Sequence, residues 1–381
     1  MTTYITVKQS PMYRQMTLDE YLFGNTVKGN VILNSNTTNT RTYTTERVNV
    51  NILLNTDVVG MIRALDEFNE SVAELRSAER QTLYKTFHIP KKSRGYRRID
   101  APLPELKNAL DRLKTIFETK FGVLYHTSAF AYVRGRCTVD AVKRHQKNES
   151  RWFGKYDLSD FFGNTTLEFV MKMFSMIYPF SEVVKIPHGK EALEEALSLA
   201  FLNGGLPQGT PISPLITNVI MIPVDHKLAN TLNDYESQRF VYTRYADDFL
   251  VSSKYSFSYR DIENLIVSVL SSFEAPFTIN SRKTRYGSSA GANWNLGVML
   301  NKDNNITVGN KKKRQLQSAL HSYATDKVNG VNWDLNDVQV LNGHISYYRS
   351  VEGETIDRII EHTGKKLNIN ILELIKADLK S

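Results

Sequence analysis

Apolar and polar positions along the chain first suggest strands. Residues 240–243 (Phe-Val-Tyr-Thr) and 249–251 (Phe-Leu-Val) are aromatic and β-branched runs, the composition that fits a half-buried pleated surface. Between them stand Tyr245, Ala246, Asp247 and Asp248, so the pattern predicts a β-hairpin carrying two adjacent carboxylates at its tip. A further strand is predicted at residues 152–157, where alternation puts Phe153, Lys155 and Asp157 on one face. Helical spacing marks other segments. Val58, Ile62, Leu65 and Phe68 share a face within 57–80, and residues 215–224 form an apolar helix after a Gly- and Pro-rich loop. Leu316, Leu320 and Tyr323 form a third stripe, and residues 352–381 read as two helices separated by Gly364, with Ile359, Ile360, Leu372 and Ile375 apolar. Near the start, Thr17-Leu18-Asp19-Glu20 fits a capping box. The Asn/Thr-rich residues 28–55 read as a hairpin or arm.

The hairpin tip is where chemistry enters. Two consecutive Asp residues repel unless a cation lies between them, and hard divalent ions prefer carboxylate oxygens. An ordinary turn is the plain alternative, since Asp tolerates turn conformations. Asp157 ends its own predicted strand. Three carboxylates at neighbouring strand ends can hold two Mg²⁺ ions roughly 3.5–4 Å apart, the arrangement used for phosphoryl transfer.

Other motifs accompany the hairpin in a fixed order. Phe87-His88-Ile89-Pro90-Lys91-Lys92-Ser93-Arg94-Gly95-Tyr96-Arg97-Arg98-Ile99 reads as a basic hairpin. Ala131-Tyr132-Val133-Arg134-Gly135-Arg136 precedes Asp140-Ala141. Asp157-Leu158-Ser159-Asp160-Phe161-Phe162 comes next. Leu206-Pro207-Gln208-Gly209-Thr210-Pro211-Ile212-Ser213-Pro214 contains Gln-Gly-x-x-x-Ser-Pro. After the Asp-Asp hairpin come Ile279-Asn280-Ser281-Arg282-Lys283-Thr284 and Trp294-Asn295-Leu296-Gly297-Val298. Across residues 80–350 the chain thus resembles the bacterial reverse transcriptases, the group of retron, group II intron and phage-defence enzymes. The resemblance implies an α+β, right-hand polymerase fold. Residues 1–80 would be an N-terminal extension, and 81–300 fingers and palm, the palm a small antiparallel sheet backed by helices. Residues 301–350 would be a helical thumb and 351–381 a C-terminal helical tail.

The implied reaction is RNA-directed DNA synthesis from dNTPs on a DNA or RNA primer. Two Mg²⁺ ions, or Mn²⁺ in their place, would activate the primer hydroxyl and neutralise the triphosphate. By resemblance Asp157 and Asp247 bridge both ions, Asp248 is a third ligand and the Leu158 carbonyl a further donor. Asp160 would set its backbone against the triphosphate, although the residue type reads equally as a helix N-cap. Lys91, Lys92 and Arg97 are implied triphosphate ligands, guanidinium groups binding phosphate bidentately; a solvated basic loop is the plain reading of such a run. Phe162 holds the position that excludes a ribose 2′-hydroxyl, with Phe161 beside it suited to the core. Gln208 and Gly209 would position the incoming nucleotide and template base. Lys283 is implied to protonate departing pyrophosphate, although structural charge neutralisation looks the same in sequence. Arg134, Arg136, Tyr245, the primer-grip residues Trp294, Leu296 and Gly297, and Lys311, Lys312, Lys313 and Arg314 at the start of the thumb helix are implied nucleic-acid contacts.

Composition agrees with a nucleic-acid partner. The chain has 381 residues, 41% of them apolar, enough to bury a large core. Its formal charge is +8 and its pI about 9.2. Residues 81–150 hold fifteen Lys/Arg against six Asp/Glu, concentrating positive charge on the expected fingers. The single Cys137 excludes an internal disulfide framework, and His88, His126, His145 and His188 lack metal-ligand spacing. There is no signal peptide and no apolar stretch of about 18 residues, so no membrane partner and a cytoplasmic location are expected.

Departures from relatives narrow the biology. Only some thirty residues follow the thumb-like region, so the added DNA-binding or endonuclease parts of intron proteins are not expected. The Asn-Ala-x-x-His pattern of retron enzymes is replaced by Asp140-Ala141 with His145 four residues after the alanine, nearer the intron type. A stand-alone enzyme working with its own structured RNA, in a retroelement or in phage defence, fits best. DNA synthesis with little template dependence or with protein priming, and a non-catalytic RNA-binding scaffold, are the alternatives. The apolar tail positions suit packing on the thumb or, in a homo-oligomer, on a second copy.

Overall fold

The computed structural model describes residues 57–91, 95–290 and 297–380. The capping box at Thr17, the Asn/Thr-rich stretch, Lys92, Trp294 and Leu296 lie outside them. The strands are β1 (Tyr84–Pro90), β2 (Tyr96–Pro102), β3 (Trp152–Asp157), β4 (Val241–Tyr245), β5 (Asp248–Ser253), β6 (Arg285–Ser288), β7 (Met299–Leu300) and β8 (Ile306–Thr307). The chain divides into two compact units, Met1–Leu124 with Phe162–His226, and Tyr125–Phe161 with Lys227–Ser381. Among the described residues no helix is long and apolar enough to cross a membrane.

The first unit is a helical body with one β-hairpin. Phe117 makes edge contacts with Phe121, Phe174 and Phe180, at ring-centroid distances of 5.3, 6.3 and 5.3 Å. Such edge-to-face pairs suit the ring quadrupoles. Helix Val58–Ser71 buries Met61, Leu65 and Phe68, while Val58 and Ile62 are only half-buried. The buried stripe is therefore rotated slightly from the one expected. β1 and β2 pair antiparallel, with Phe87 opposite Ile99 and Ile89 opposite Arg97. Their connection closes through the Lys91 amide on the Gly95 carbonyl at 2.8 Å. Phe87, Ile89 and Tyr96 are exposed large apolar side chains on this hairpin. Helix Ser213–Ile220 begins the apolar segment expected at 215–224, and a second helix starts at Ile222.

The second unit is built on an antiparallel sheet of order β4-β5-β3-β6. Register sorts its side chains. Phe153, Lys155 and Asp157 of β3 lie opposite Ser252, Leu250 and Asp248 of β5, and those lie opposite Val241, Thr243 and Tyr245 of β4. One face therefore carries all nine residues, as alternation requires. Helix Thr138–Lys147 covers one end of that face. Its Val142 joins Phe153, Leu250, Val298 and Leu300 in a buried cluster. Beside it the fully buried His145 bridges two strands, Nδ1 to Ser252 Oγ at 2.6 Å and Nε2 to Thr243 Oγ1 at 2.8 Å. On the opposite face Tyr156 is buried and donates its hydroxyl to the Tyr259 carbonyl at 3.0 Å, at the start of helix Tyr259–Ser272.

Helices Asn310–Val328, Leu335–Leu367 and Ile371–Asp378 share a separate core that includes Leu316, Leu320, Tyr323, Leu341, Ile345, Ile360 and Ile375. The stripe Leu316, Leu320, Tyr323 is thus buried as the spacing predicted. The tail corrects the sequence reading. Gly364 does not separate two helices but lies inside Leu335–Leu367, which ends in a left-handed Asn368 (φ +54). The Ile369 amide closes back on the Gly364 carbonyl at 3.1 Å, a Schellman-type stop. A Cβ at Gly364 would come within 2.6 Å of the Ile369 carbonyl oxygen, so the glycine serves the fold-back. The real break is at Glu352 (φ −146, ψ 62). Its carboxylate accepts from Thr307 Oγ1 at 2.9 Å, the Val308 amide at 3.1 Å and Lys313 Nζ at 3.2 Å.

Burial pushes the His145 imidazole down to about 3, so it stays neutral in the fold while the unfolded chain takes up a proton near 6.5. Stability should therefore fall as pH drops below about 6.5, by up to about 1.4 kcal/mol per unit from this group. His145→Ala should cost about 2–4 kcal/mol, through a cavity and the loss of the Thr243 hydroxyl's partner, while Ser252 keeps its bond to Ser150. It should also flatten that acid limb; urea unfolding at pH 7.5 and pH 5 reads both.

Candidate active site

Asp157 closes β3 directly opposite Asp248, the first residue of β5. Tyr245 pairs with Asp248, leaving Ala246 and Asp247 as a two-residue connection. Ala246 adopts φ +57, a left-handed conformation that costs an L-residue roughly 1–2 kcal/mol. The surroundings fix this turn. Arg244, 1% exposed, donates Nη1 to the Ala246 carbonyl at 3.1 Å. The Leu158 amide donates to the Asp247 carbonyl at 3.0 Å, the Ser159 amide to Thr278 at 2.8 Å, and the Asn280 amide to the Asp157 carbonyl at 2.7 Å. The loop that carries Lys283 is thereby fastened to the end of β3.

Two lysines reach the carboxylates. Lys283 Nζ lies 2.9 and 3.1 Å from the two oxygens of Asp157, and Lys155 Nζ lies 2.8 Å from Asp248 Oδ2. Burial, then the charge of Asp248, pushes the Asp247 carboxyl up to about 6, with Asp157 adding and Lys283 opposing. Burial raises Asp248 as well, against the pull of Lys155. Asp248 Oδ1 is buried without a hydrogen-bond partner.

Among the described residues no group of three His, Cys, Asp or Glu side chains already converges as a metal cage; the lysines hold Asp157 and Asp248 instead. The donor chemistry nonetheless fits a hard divalent cation. It consists of carboxylate oxygens only, mutually repelling, partly desolvated and with one oxygen unsatisfied, which is the environment such ions favour. Asp157, Asp247 and Asp248 are the residues that would hold it.

The other sequence-derived residues are distributed as follows. Phe161 is buried, its ring 4.9 Å from Phe277, whereas Phe162 is half-buried. Asp160 is exposed in a turn with φ +41. It is not a helix N-cap; Thr166 caps the following helix by accepting from the Phe169 amide. Within the first unit the Gln208 carbonyl accepts from the Asp100 amide at 2.9 Å. Gly209 (φ +122) is so close to β2 that a Cβ would sit 3.1 Å from the Asp100 carbonyl oxygen and from the Ile99 side chain. Arg97 shares that unit, on β2 opposite Ile89. Its neighbour Arg98 pairs with Asp100 at 2.9 Å. Lys91 is exposed at the hairpin turn.

In the second unit Arg134 is exposed. Arg136 is half-buried and donates to the His126 and Ala129 carbonyls at 2.8 and 2.7 Å. Tyr245 is half-buried. Lys312 donates to the Gly297 carbonyl, and Lys313 is tied to Glu352. Lys311 lies in the first turn of helix Asn310–Val328 and Arg314 just after it, both exposed. Lys155 and Arg244 carry no role in the sequence reading. The signal for Lys155 was its strand position, two residues before Asp157 on the same face; for Arg244 nothing local shows that a guanidinium is buried.

A family model described as reverse transcriptase (RNA-dependent DNA polymerase) matches residues 89–318, more than half of the chain. The chain belongs to the reverse transcriptase family. It is an RNA-directed DNA polymerase of right-hand fold. The Escherichia coli retron Ec83 reverse transcriptase is 28% identical over 295 residues, 74% of this chain and 88% of that protein. The E. coli retron Ec73 reverse transcriptase is 27% identical over 297 residues, 77% and 88% of the two. An apo telomerase from Candida tropicalis, truncated from its C-terminal domain, aligns with a TM-score of 0.39 at 14% identity over 61% of this chain. The chain spans 57% of that structure.

Because the Asp247 carboxyl in this reverse transcriptase holds its proton up to about 6, against about 3.9 in an unfolded chain, its ionisation opposes folding above that range and not below it. In the presence of a chelator, Asp247→Asn should therefore stabilise the protein at pH 8 by about 2 kcal/mol. The gain should shrink through pH 6 and vanish near pH 4; thermal unfolding across that series measures it.

Proposed function

We propose that this reverse transcriptase extends a primer with dNTPs on an RNA template, using two divalent ions at Asp157, Asp247 and Asp248. The observation that carries the reading is the meeting of three carboxylates at one end of the β3–β5–β4 sheet, with lysines as counter-charges and a buried oxygen left unpaired. Mg²⁺ held there would activate the primer 3′-hydroxyl and neutralise the triphosphate. The chain's own groups supply the rest. Lys283 has a side chain 56% exposed on a loop, suited to give a proton to departing pyrophosphate. Arg97 and Lys91 carry the triphosphate-binding role of the family motif, and Gln208 with Gly209 the positioning of the nucleotide against its template base. Phe162 is the half-buried ring that would exclude a 2′-hydroxyl, and Phe161 packs against Phe277 in the core.

Residues 81–300 are assigned as fingers and palm, 301–350 as thumb and 351–381 as tail. A cation in the first turn of helix Asn310–Val328 opposes the helix dipole, so Lys311 is better explained by an external phosphate backbone than by helix stability, and Arg314 stands exposed just beyond it. The likeness to retron enzymes supports a cognate structured RNA as template, in a cytoplasmic bacterial retroelement or defence system.

Primer extension by the purified protein on an RNA template tests this. Asp157→Asn and Asp248→Asn should each lower dNTP incorporation about a thousandfold or more. Incorporation that ignores the added template would point to template-independent synthesis by the same site, and retained function in the Asp variants to an RNA-binding scaffold. Phe162→Ala should raise ribonucleotide use relative to dNTPs by about ten- to a hundredfold, read by competing the two substrates.

A further inference from the structure

The two lysines at the carboxylates are not equivalent. Lys283 is 56% exposed on a loop, with its ammonium on Asp157. Lys155 is rooted in the middle of β3, only 26% exposed, and its partner Asp248 is 20% exposed. The β3–β5 register fixes their encounter. Asp157 stands directly opposite Asp248, and Lys155 stands opposite Leu250 on the same face. That makes Lys155 the diagonal neighbour of Asp248, a separation that a long side chain spans. Its ammonium lies 2.8 Å from Oδ2, while Oδ1 of the same carboxylate has no partner. A monovalent point charge therefore satisfies half of a ligand that a divalent ion would satisfy more fully.

We propose that Lys155 is a built-in counter-ion that occupies Asp248 whenever no divalent metal is bound, and so sets the metal concentration at which the site fills. The inference rests on the metal-dependent reading above. Metal binding must exchange the Lys155–Asp248 ion pair for a metal–carboxylate bond, and the strength of that pair is subtracted from the apparent affinity. In return the lysine keeps the free carboxylate cluster from repelling itself open before metal arrives. This is a positioning role, distinct from that of Lys283, and it predicts opposite effects on stability and on metal affinity.

The test is thermal unfolding of the full-length, nucleic-acid-free protein at pH 7.5, titrated with Mg²⁺ from a chelated starting point. Wild type should gain stability with Mg²⁺, and the Asp247→Asn/Asp248→Asn double variant should not. Lys155→Met should unfold at a lower temperature without metal, yet reach its half-maximal Mg²⁺ stabilisation at about five- to tenfold lower concentration. Lys155→Gln serves the same purpose should the methionine variant fold poorly. Lys155→Arg, which keeps the charge, should stay near wild type. The Mg²⁺ requirement for primer extension should move with the thermal midpoint. An unchanged or higher midpoint in Lys155→Met and Lys155→Gln overturns the counter-ion role while leaving the metal site intact. No Asp-dependent Mg²⁺ stabilisation in wild type overturns the metal-dependent reading and this inference together.

Discussion

Three like charges held at one end of a small sheet are the constraint around which the second unit is arranged. The register that sets Asp157 opposite Asp248 also brings Asp247 to the adjoining turn. A slip of one residue would turn the whole strand over. That register is held from both faces. His145 ties β4 to β5 through two hydroxyls, and Tyr156 anchors β3 to the helix beneath. At the tip, Arg244 and the amide of Leu158 hold a left-handed turn that an alanine would not otherwise choose, and the Asn280 amide fastens the end of β3 beside it. Fixed backbone polar groups thus stand in for the flexibility that repulsion would otherwise exploit.

Such a site works against the stability of its own fold. The Asp247 carboxyl is pushed up by burial and by its neighbours, and Asp248 leaves one oxygen unsatisfied. The opposing stabilisation comes from elsewhere, from the buried cluster of Val142, Phe153 and Leu250 at the other end of the same face and from the helical core around Leu320, Tyr323 and Ile360. In that helical region Glu352 breaks its helix and takes three hydrogen bonds from residues 307, 308 and 313. Lys313 is consequently half-buried and tied to Glu352, whereas Lys311 and Arg314 are exposed, although all three read as one basic run.

The first unit shows the same economy of backbone. The loop bearing Gln208 is bonded to β2 through Asp100, and Gly209, at φ +122, lies so near that strand that a Cβ there would be strained and would crowd Asp100 and Ile99. Arg97 is three residues from Asp100 on the same strand, so Gln208 and Arg97 are positioned by one rigid connection. Arg98 spends its charge on Asp100. The division of labour between two adjacent arginines follows from strand alternation, which sends neighbouring side chains to opposite faces.

Local pattern alone determined a good deal of this protein. The strands around Tyr245–Asp248, the common face of Phe153, Lys155 and Asp157, the stripe through Leu316, Leu320 and Tyr323, and the ordered motifs of the family were all legible, because periodicity and turn chemistry act over a few residues. What only the tertiary structure decided depends on partners distant in sequence. Nothing near His145 announces that it spans Thr243 and Ser252, about a hundred residues away. Gly364 resembles a helix breaker until the fold-back of Ile369 gives it a different reason. Asp160 resembles a cap until Thr166 takes that place. Lys155 was placed on the correct face by its spacing, but its pairing with Asp248 required the register between two strands, and register is a property of the assembled sheet.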